Sequence, residues 1–255
     1  MEIYYALFFF ILGINLGSFY NVVGYRLPKG ESIIFPPSHC PNCNHQLTFW
    51  ELFPIFSYIF QLGRCRKCKS KISFFYPLIE FTTGVLFVLA YFVFGLSIEL
   101  FISLILISMT LIIIISDYLY LIIRDEVLIV SSGLILIGIY FLKGISGVGE
   151  AFFNGLVAFS IMFLIKKLGD YLFKKESMGG GDIKLLFVFG LVFGWEISLV
   201  IIFLASFIGL PISVFMLYKK PNHDRIIPFG PFLCVAALIV LFLKIDINII
   251  MGILM

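Results

Sequence analysis

Apolar residues along this chain do not alternate or appear singly; they run in long blocks joined by short polar links. The blocks fall near 3–23, 75–95, 98–117, 126–142, 150–166, 183–195, 197–218 and 228–243. Each reads as a helix, and roughly 20 apolar residues at ~1.5 Å apiece cross a ~30 Å hydrocarbon layer. The pattern predicts an all-α polytopic membrane protein with about eight transmembrane helices. Gly13 and Gly17 sit four apart in the first block, a spacing that lets two helices pack closely. The block from Ile3 to Val23 is led by Glu2 with no basic segment before it, so it reads as a retained helix rather than a cleaved signal peptide. The apolar tail from Ile245 to Met255 is too short to span.

One stretch breaks the pattern. Residues 24–74 are basic, carry four cysteines and hold Pro28, Pro36, Pro37, Pro41 and Pro54. The chain therefore divides into a first transmembrane helix (1–23), a cytoplasmic Cys-rich domain between helices 1 and 2 (24–74) and a membrane-embedded domain (75–255). Two further polar loops, 167–182 and 219–227, interrupt the membrane part.

Composition supports lipid as the solvent: 61% of residues are hydrophobic, 13% are charged, and the mean hydropathy is +1.11. The net charge of +3 gives no reason to expect a nucleic-acid partner, but its distribution sets an orientation. With the N-terminus outside, 16 of the 18 basic residues fall in loops on the cytoplasmic side, leaving only Lys143 and Lys244 on the other.

Cys40-Pro-Asn-Cys43 and Cys65-Arg-Lys-Cys68 are two CxxC pairs. Each can curl its thiolates toward one point, and two such turns complete a tetrahedron around zinc. The cytoplasmic side disfavours disulfides, so a structural metal site is the reading. His39 and His45 flank the first pair, but four cysteines already fill the shell. Cys234, in the last block, reads as a small buried residue.

Most carboxylates fall in polar ends and loops. Asp117, Asp125, Asp182, Glu80 and Glu126 do not fit that description, and ionisable groups inside membrane helices tend to be functional. Asp117 follows the unbroken run Leu111-Ile-Ile-Ile-Ile-Ser116. Asp182 follows Gly179, Gly180 and Gly181 and opens a helix, where the dipole favours a carboxylate and the glycines admit a substrate strand. Both lie at similar depth on one side of the membrane. Two adjacent carboxylates share a proton: the ionised member activates water and the protonated one binds a scissile carbonyl. The competing reading is that Asp182 caps its helix and Asp117 pairs with a Lys or Arg. Asp125, eight residues beyond Asp117, would share its face only if the helix continued; Glu80 would orient a neighbour or touch substrate.

Together these residues resemble the type IV prepilin peptidases, the prepilin leader peptidase/N-methyltransferases. The resemblance begins at Gly17-Ser-Phe-Tyr-Asn-Val-Val-Gly-Tyr-Arg-Leu-Pro28 and continues through the cysteine segment, Glu51-Leu-Phe-Pro54 and Tyr76-Pro-Leu-Ile-Glu80. It returns at Gly179-Gly-Gly-Asp-Ile-Lys184 and Pro228-Phe-Gly-Pro-Phe232. It implies that Asp117 and Asp182 are the catalytic aspartates of a membrane aspartyl endopeptidase in the cytoplasmic (inner) membrane of a prokaryote. The implied substrates are prepilins or pseudopilins, cut at the cytoplasmic membrane face and then N-methylated with S-adenosylmethionine. Zinc on the cysteines, and supporting or substrate-proximal roles for Glu80, Asp125, Gly179, Gly180, Gly181 and Lys184, follow from the same likeness. One departure is Ile123-Arg124-Asp125, where the family usually has proline in the middle; it predicts an altered end to the preceding helix. No Gly-rich nucleotide turn follows a strand, so methylation rests on the resemblance.

Two other classes compete. A membrane thiol oxidoreductase would use the CxxC pairs, but needs them on the external side. A transporter or assembly scaffold with a zinc knuckle explains helices and cysteines, but not the Gly179–Asp182 turn.

Overall fold

The computed structural model describes residues 1–174, 178–219 and 227–245. Residues 175–177 and 220–226 of the two polar loops, and 246–255 of the apolar tail, lie outside that description. Among the described residues every extended element is helical, and the only β pairing is two isolated bridges, His39–Gln46 and Arg64–Lys71. The chain forms two compact units, Met1–Leu96 and Ser97–Met255.

In the first unit, α1 (Glu2–Arg26) packs along α3 (Phe75–Phe94). A Cβ on Gly13 would stand 2.7 Å from the Gly84 Cα, and one on Gly17 would stand 2.9 Å from the Glu80 Cα. The two backbones thus touch at both glycines, as their spacing predicts. Between these helices lies a compact loop with one short helix, α2 (Phe56–Phe60). Arg26 anchors its start by donating from Nη1 to the carbonyls of Ser32 (3.1 Å) and Pro36 (2.7 Å).

The second unit holds α4 (Ile98–Tyr120), α5 (Asp125–Phe173), α6 (Gly180–Phe193), α7 (Trp195–Lys219) and α8 (Gly230–Leu243). The Ser97 hydroxyl accepts from the Leu100 N–H and starts α4. Helix α4 packs on α5 and α8, and α6 packs on α5 and α7. The α5–α6 contact is another backbone approach: a Cβ on Gly190 would meet the Gly155 Cα at 2.7 Å.

Helix ends follow the apolar blocks to within a few residues, with one correction. The expected helices 126–142 and 150–166 are both present: Asp125–Phe173 is two helices that meet at Gly144, whose φ of 67° and ψ of −164° are not helical. A straight helix of those 49 residues would run about 74 Å, more than twice the hydrocarbon layer, and Gly144 supplies the dihedrals that divide it. The stretch also continues to Phe173, so the first polar loop is shorter than its composition suggests.

Five helices, α1, α3, α4, α5 and α7, are long and apolar enough to cross a membrane; α8 is apolar but shorter. With no strand among the described residues, this is the build of a helical membrane protein.

Candidate active site

Asp117 and Asp182 come from different helices of the second unit. Asp117 lies in the last turn of α4, which ends at Leu121 in the left-handed conformation (φ 57°). Asp182 is the third residue of α6, after Gly179 at the N-cap position. Both side chains are buried, with residue exposures of 6% and 8%.

Three contacts tie the neighbourhoods together. The Gly230 N–H, at the start of α8, donates to the Asp117 carboxylate. A Cβ on Gly230 would meet Asp117 Oδ2 at 2.5 Å and Ile123 Cδ1 at 3.2 Å. A Cβ on Gly181, beside Asp182, would meet Ile123 Cβ at 2.8 Å. Ile123 therefore touches the glycine next to each aspartate. The carboxylates are close enough for the charge of Asp117 to act on Asp182, and both act on Cys234, fully buried one turn into α8.

Neither competing role fits this arrangement. Gly179 is the N-cap of α6 and no side chain caps it, so Asp182 is not a cap. Asp117 makes no ion pair among the described residues. An uncompensated pair of buried carboxylates is costly, and such pairs persist where chemistry uses them.

Asp125 is not on Asp117's helix. Leu121 ends α4, and Asp125 opens α5. There it pairs with Lys184, whose Nζ lies 2.7 and 2.8 Å from the two Asp125 oxygens. Both partners are half exposed, so the pair adds little stability, but it fixes the first turn of α6 against the start of α5. Arg124 does not alter the end of α4, which has already closed. It is the N-cap of α5 with φ −82° and ψ 131°, angles close to those a proline there would take, and its guanidinium pairs with Glu126.

In the first unit the four cysteine sulfurs lie within 4.8 Å of one another. Cys40 and Cys68 are 3.8 Å apart, and Cys43 and Cys65 3.9 Å. Four sulfurs at ~2.3 Å from a tetrahedral metal would be spaced about 3.8 Å, so the cluster fits such an ion. The two turns are copies of each other. The Asn44 N–H donates to the Cys40 carbonyl and the Lys69 N–H to the Cys65 carbonyl, both at 2.9 Å. Asn44 and Lys69 both take positive φ, 53° and 59°. The Ser70 hydroxyl, 3.1 Å from Cys68 Sγ, leads the hydrogen bonds that lower that thiol, while the neighbouring Cys43 thiol is pushed up to about 11, so without a metal the four sulfurs do not ionise alike.

The histidines are occupied elsewhere. His39 Nδ1 lies 3.0 Å from the Pro37 carbonyl, and His45 Nε2 lies 3.3 Å from Glu51 Oε2. Burial opposes ionisation of Glu51, but the Thr48 N–H and hydroxyl and His45 outweigh it and hold its carboxyl below the usual range. Glu80 belongs to the first unit. It is buried in α3 and accepts the Ile55 N–H at 2.7 Å, tying the cysteine loop to the helix.

Compared with known proteins, residues 11–94 match the Bacterial Peptidase A24 N-terminal domain, and residues 104–214 match the Type IV leader peptidase family. A protein of Bacillus subtilis (strain 168) is 35% identical over 228 residues, covering 87% of this chain and 88% of its own length. The chain belongs to the type IV leader peptidase family. Relatives from Pseudomonas aeruginosa (31% identical; 91% of this chain, 88% of the relative) and Aeromonas hydrophila (29%; 94% and 90%) bear the same name as the Bacillus protein, prepilin leader peptidase/N-methyltransferase. No solved structure matches.

As a member of this family the protein is a peptidase. The leader-peptidase match contains Asp117, Asp125, the Gly179–Asp182 turn and Lys184, while the N-terminal-domain match contains Glu80 and all four cysteines. Gly230, Ile123 and Cys234 complete the aspartate neighbourhood; the sequence marks Cys234 as a small buried residue, and it gives Gly230 and Ile123 no part beside the aspartates. For Gly230 a signal existed: a glycine flanked by Phe229 and Pro231, at a helix start in an apolar run.

Proposed function

We propose that this protein is a membrane aspartyl endopeptidase that removes the leader of a prepilin or pseudopilin at the cytoplasmic membrane face, with Asp117 and Asp182 as catalytic pair. The observation that carries the reading is the meeting of two buried carboxylates, from α4 and α6, with neither ion-paired nor used as a cap. One carboxylate, ionised, takes a proton from water as the water attacks the scissile carbonyl. The other, protonated, hydrogen-bonds the carbonyl oxygen, and the proton taken from water goes to the departing amine. The Gly230 N–H orients Asp117. The Asp125–Lys184 pair positions α6, Gly181 lets Ile123 pack close beside Asp182, and Gly180 has open space around it.

The setting of the reading is the cytoplasmic (inner) membrane of a prokaryote, with the N-terminus outside and eight crossings, counting two in α5 on either side of Gly144 and one each in α6 and α8. A prepilin's basic leader and apolar helix would put the scissile bond at the lipid–cytoplasm boundary. The cysteine cluster holds structural zinc, and four equivalent sulfurs support a metal over a redox dithiol. S-adenosylmethionine, when bound, supplies an electrophilic methyl on a sulfonium sulfur. It would supply the methyl group for the new N-terminal amine.

The test is incubation of the purified chain in nanodiscs with a prepilin, reading products by mass spectrometry. The expected result is release of an intact leader from a single junction; no cleavage of any prepilin or pseudopilin would overturn the reading. The same preparation should carry about one zinc per chain, and Cys65→Ser should lower it at least about ten-fold. Freshly purified wild-type protein free of zinc by elemental analysis would sink the metal assignment.

A further inference from the structure

The loop between α1 and α3 leaves an aromatic face uncovered. Phe49, Trp50, Phe53 and Phe56 form a chain of touching rings, with centroids 5.7 Å apart in Phe49–Trp50, 6.4 Å in Phe49–Phe53 and 5.8 Å in Phe53–Phe56. Trp50 is 75% exposed, and Phe60, the last residue of α2, is 83% exposed. Trp50, Phe53, Phe56 and Phe60 line an open groove of about 600 Å³ together with Arg64, Arg66 and Lys69. All three cations are exposed, and none makes an ion pair among the described residues. The carboxylate in the wall, Glu51, is buried and held by Thr48 and His45. Rings beside unpaired cations make an amphipathic surface, and a patch of that kind marks something it is built to meet.

The helices that carry the loop fix where this face lies. Helix α3 has 20 residues, about 30 Å, which matches the hydrocarbon layer and puts Phe75 near its edge. Glu80 is the sixth residue, roughly 8 Å further in, and its Oε2 accepts the Ile55 N–H at 2.7 Å. The loop therefore doubles back along α3 and returns Ile55 to the edge of the layer. Helix α1 shows the same register. Gly17 packs at Glu80, and nine more residues, about 13 Å, carry α1 on to Arg26. The turn is tightly held: Ile55 is β-branched at φ 63°, and the Phe56 N–H closes onto the Pro54 carbonyl at 2.6 Å.

We infer that this aromatic and basic face is a membrane-docking surface, seated on the phospholipid leaflet in which α3 begins. The rings lie where acyl chains meet headgroups, the depth that suits amphipathic aromatics, and Arg64, Arg66 and Lys69 hold lipid phosphates. Two other occupants suit the charge less well. A second copy of the chain would bring the same three cations, and a prepilin's basic leader would meet charge of its own sign. The cations flank Cys65 and Cys68 in sequence, so docking also holds the cysteine cluster at the leaflet surface. The surface goes beyond the peptidase reading and stands without it.

Two tryptophans occur in the chain, so Trp195→Phe leaves Trp50 as the sole indole. The full chain carrying that change is placed in nanodiscs of phosphatidylcholine and phosphatidylglycerol. The phosphatidylcholine carries bromine either near the headgroup end of its acyl chains or near the bilayer centre, and Trp50 fluorescence reports the contact. Quenching of at least about two-fold by the bromines near the headgroups, and less by those at the centre, is expected. Adding Arg64→Gln and Arg66→Gln should lower that quenching while helical circular dichroism stays unchanged. Trp50 unquenched at both depths, or quenched most from the centre, would overturn the docking surface whatever the arginine variant does. Quenching that the arginine changes leave as it was would also overturn it, since the phosphates would then hold nothing. So would a Trp50 open to aqueous acrylamide in every nanodisc and shielded only when a prepilin is added, the mark of a peptide site.

Discussion

Asp117→Asn and Asp182→Asn each lower the rate of leader release by on the order of 10³-fold, the scale of a lost acid–base partner. Asparagine keeps the size of the side chain and some hydrogen bonding, so the packing of α4 against α8 and the first turn of α6 persist. It cannot exchange a proton with water or with the departing amine. The loss therefore appears in kcat and leaves KM nearly unchanged. Stability should hold or rise, because each change replaces a buried charge-bearing group by a neutral one and ends the repulsion between the two carboxylates. The measurement is single-junction cleavage of a prepilin by each variant, with thermal unfolding and zinc content as controls. A variant that keeps a tenth of wild-type activity would remove its aspartate from the reaction.

Gly230→Ala is the second large effect, expected at about 10²-fold on kcat from displacement of a catalytic group by less than an ångström or so. The added Cβ would sit 2.5 Å from Asp117 Oδ2 and 3.2 Å from Ile123 Cδ1. The backbone of α8 tolerates alanine, a better helix former than glycine, so the fold survives and the carboxylate yields. Turning it away lengthens its bond from the Gly230 N–H and disturbs its approach to Asp182. Gly133→Ala, on α5 with nothing within 4 Å of the new Cβ, is the matched control and should change the rate less than about two-fold. Equal activity in both alanine variants would detach Gly230 from the site.

Much of the architecture was legible because a lipid solvent leaves a coarse imprint. Long apolar blocks must be helices, since no other single-segment structure satisfies its own backbone there. Gly13 and Gly17 carried their packing role in their spacing. The cysteine pairs announced a shared centre, because a CxxC turn leaves its thiols few other directions to face.

What failed to be legible depended on dihedrals or on partners distant in sequence. Gly144 looks like any glycine in a linker, and its positive φ becomes visible only in the fold. Asp125 lies at helical spacing from Asp117, but Leu121 takes a left-handed conformation that no side-chain pattern signals, and the two residues part. Arg124 in place of proline looked like a threat to the end of α4 until the fold put it at the N-cap of α5. Glu80 was expected to orient a neighbour or touch substrate, and the fold adds that it accepts the Ile55 N–H of the cysteine loop.

By itself, the sequence determined the lipid-facing class of the protein, a four-thiolate centre and two aspartates that do not belong in apolar surroundings. Those properties are written in residue type and short-range spacing. Only the tertiary structure decided that α4, α6 and α8 converge and that Gly230 and Ile123 stand between the aspartates' neighbourhoods. Such meetings join residues dozens of positions apart, and helix packing sets them, not any local pattern of side chains.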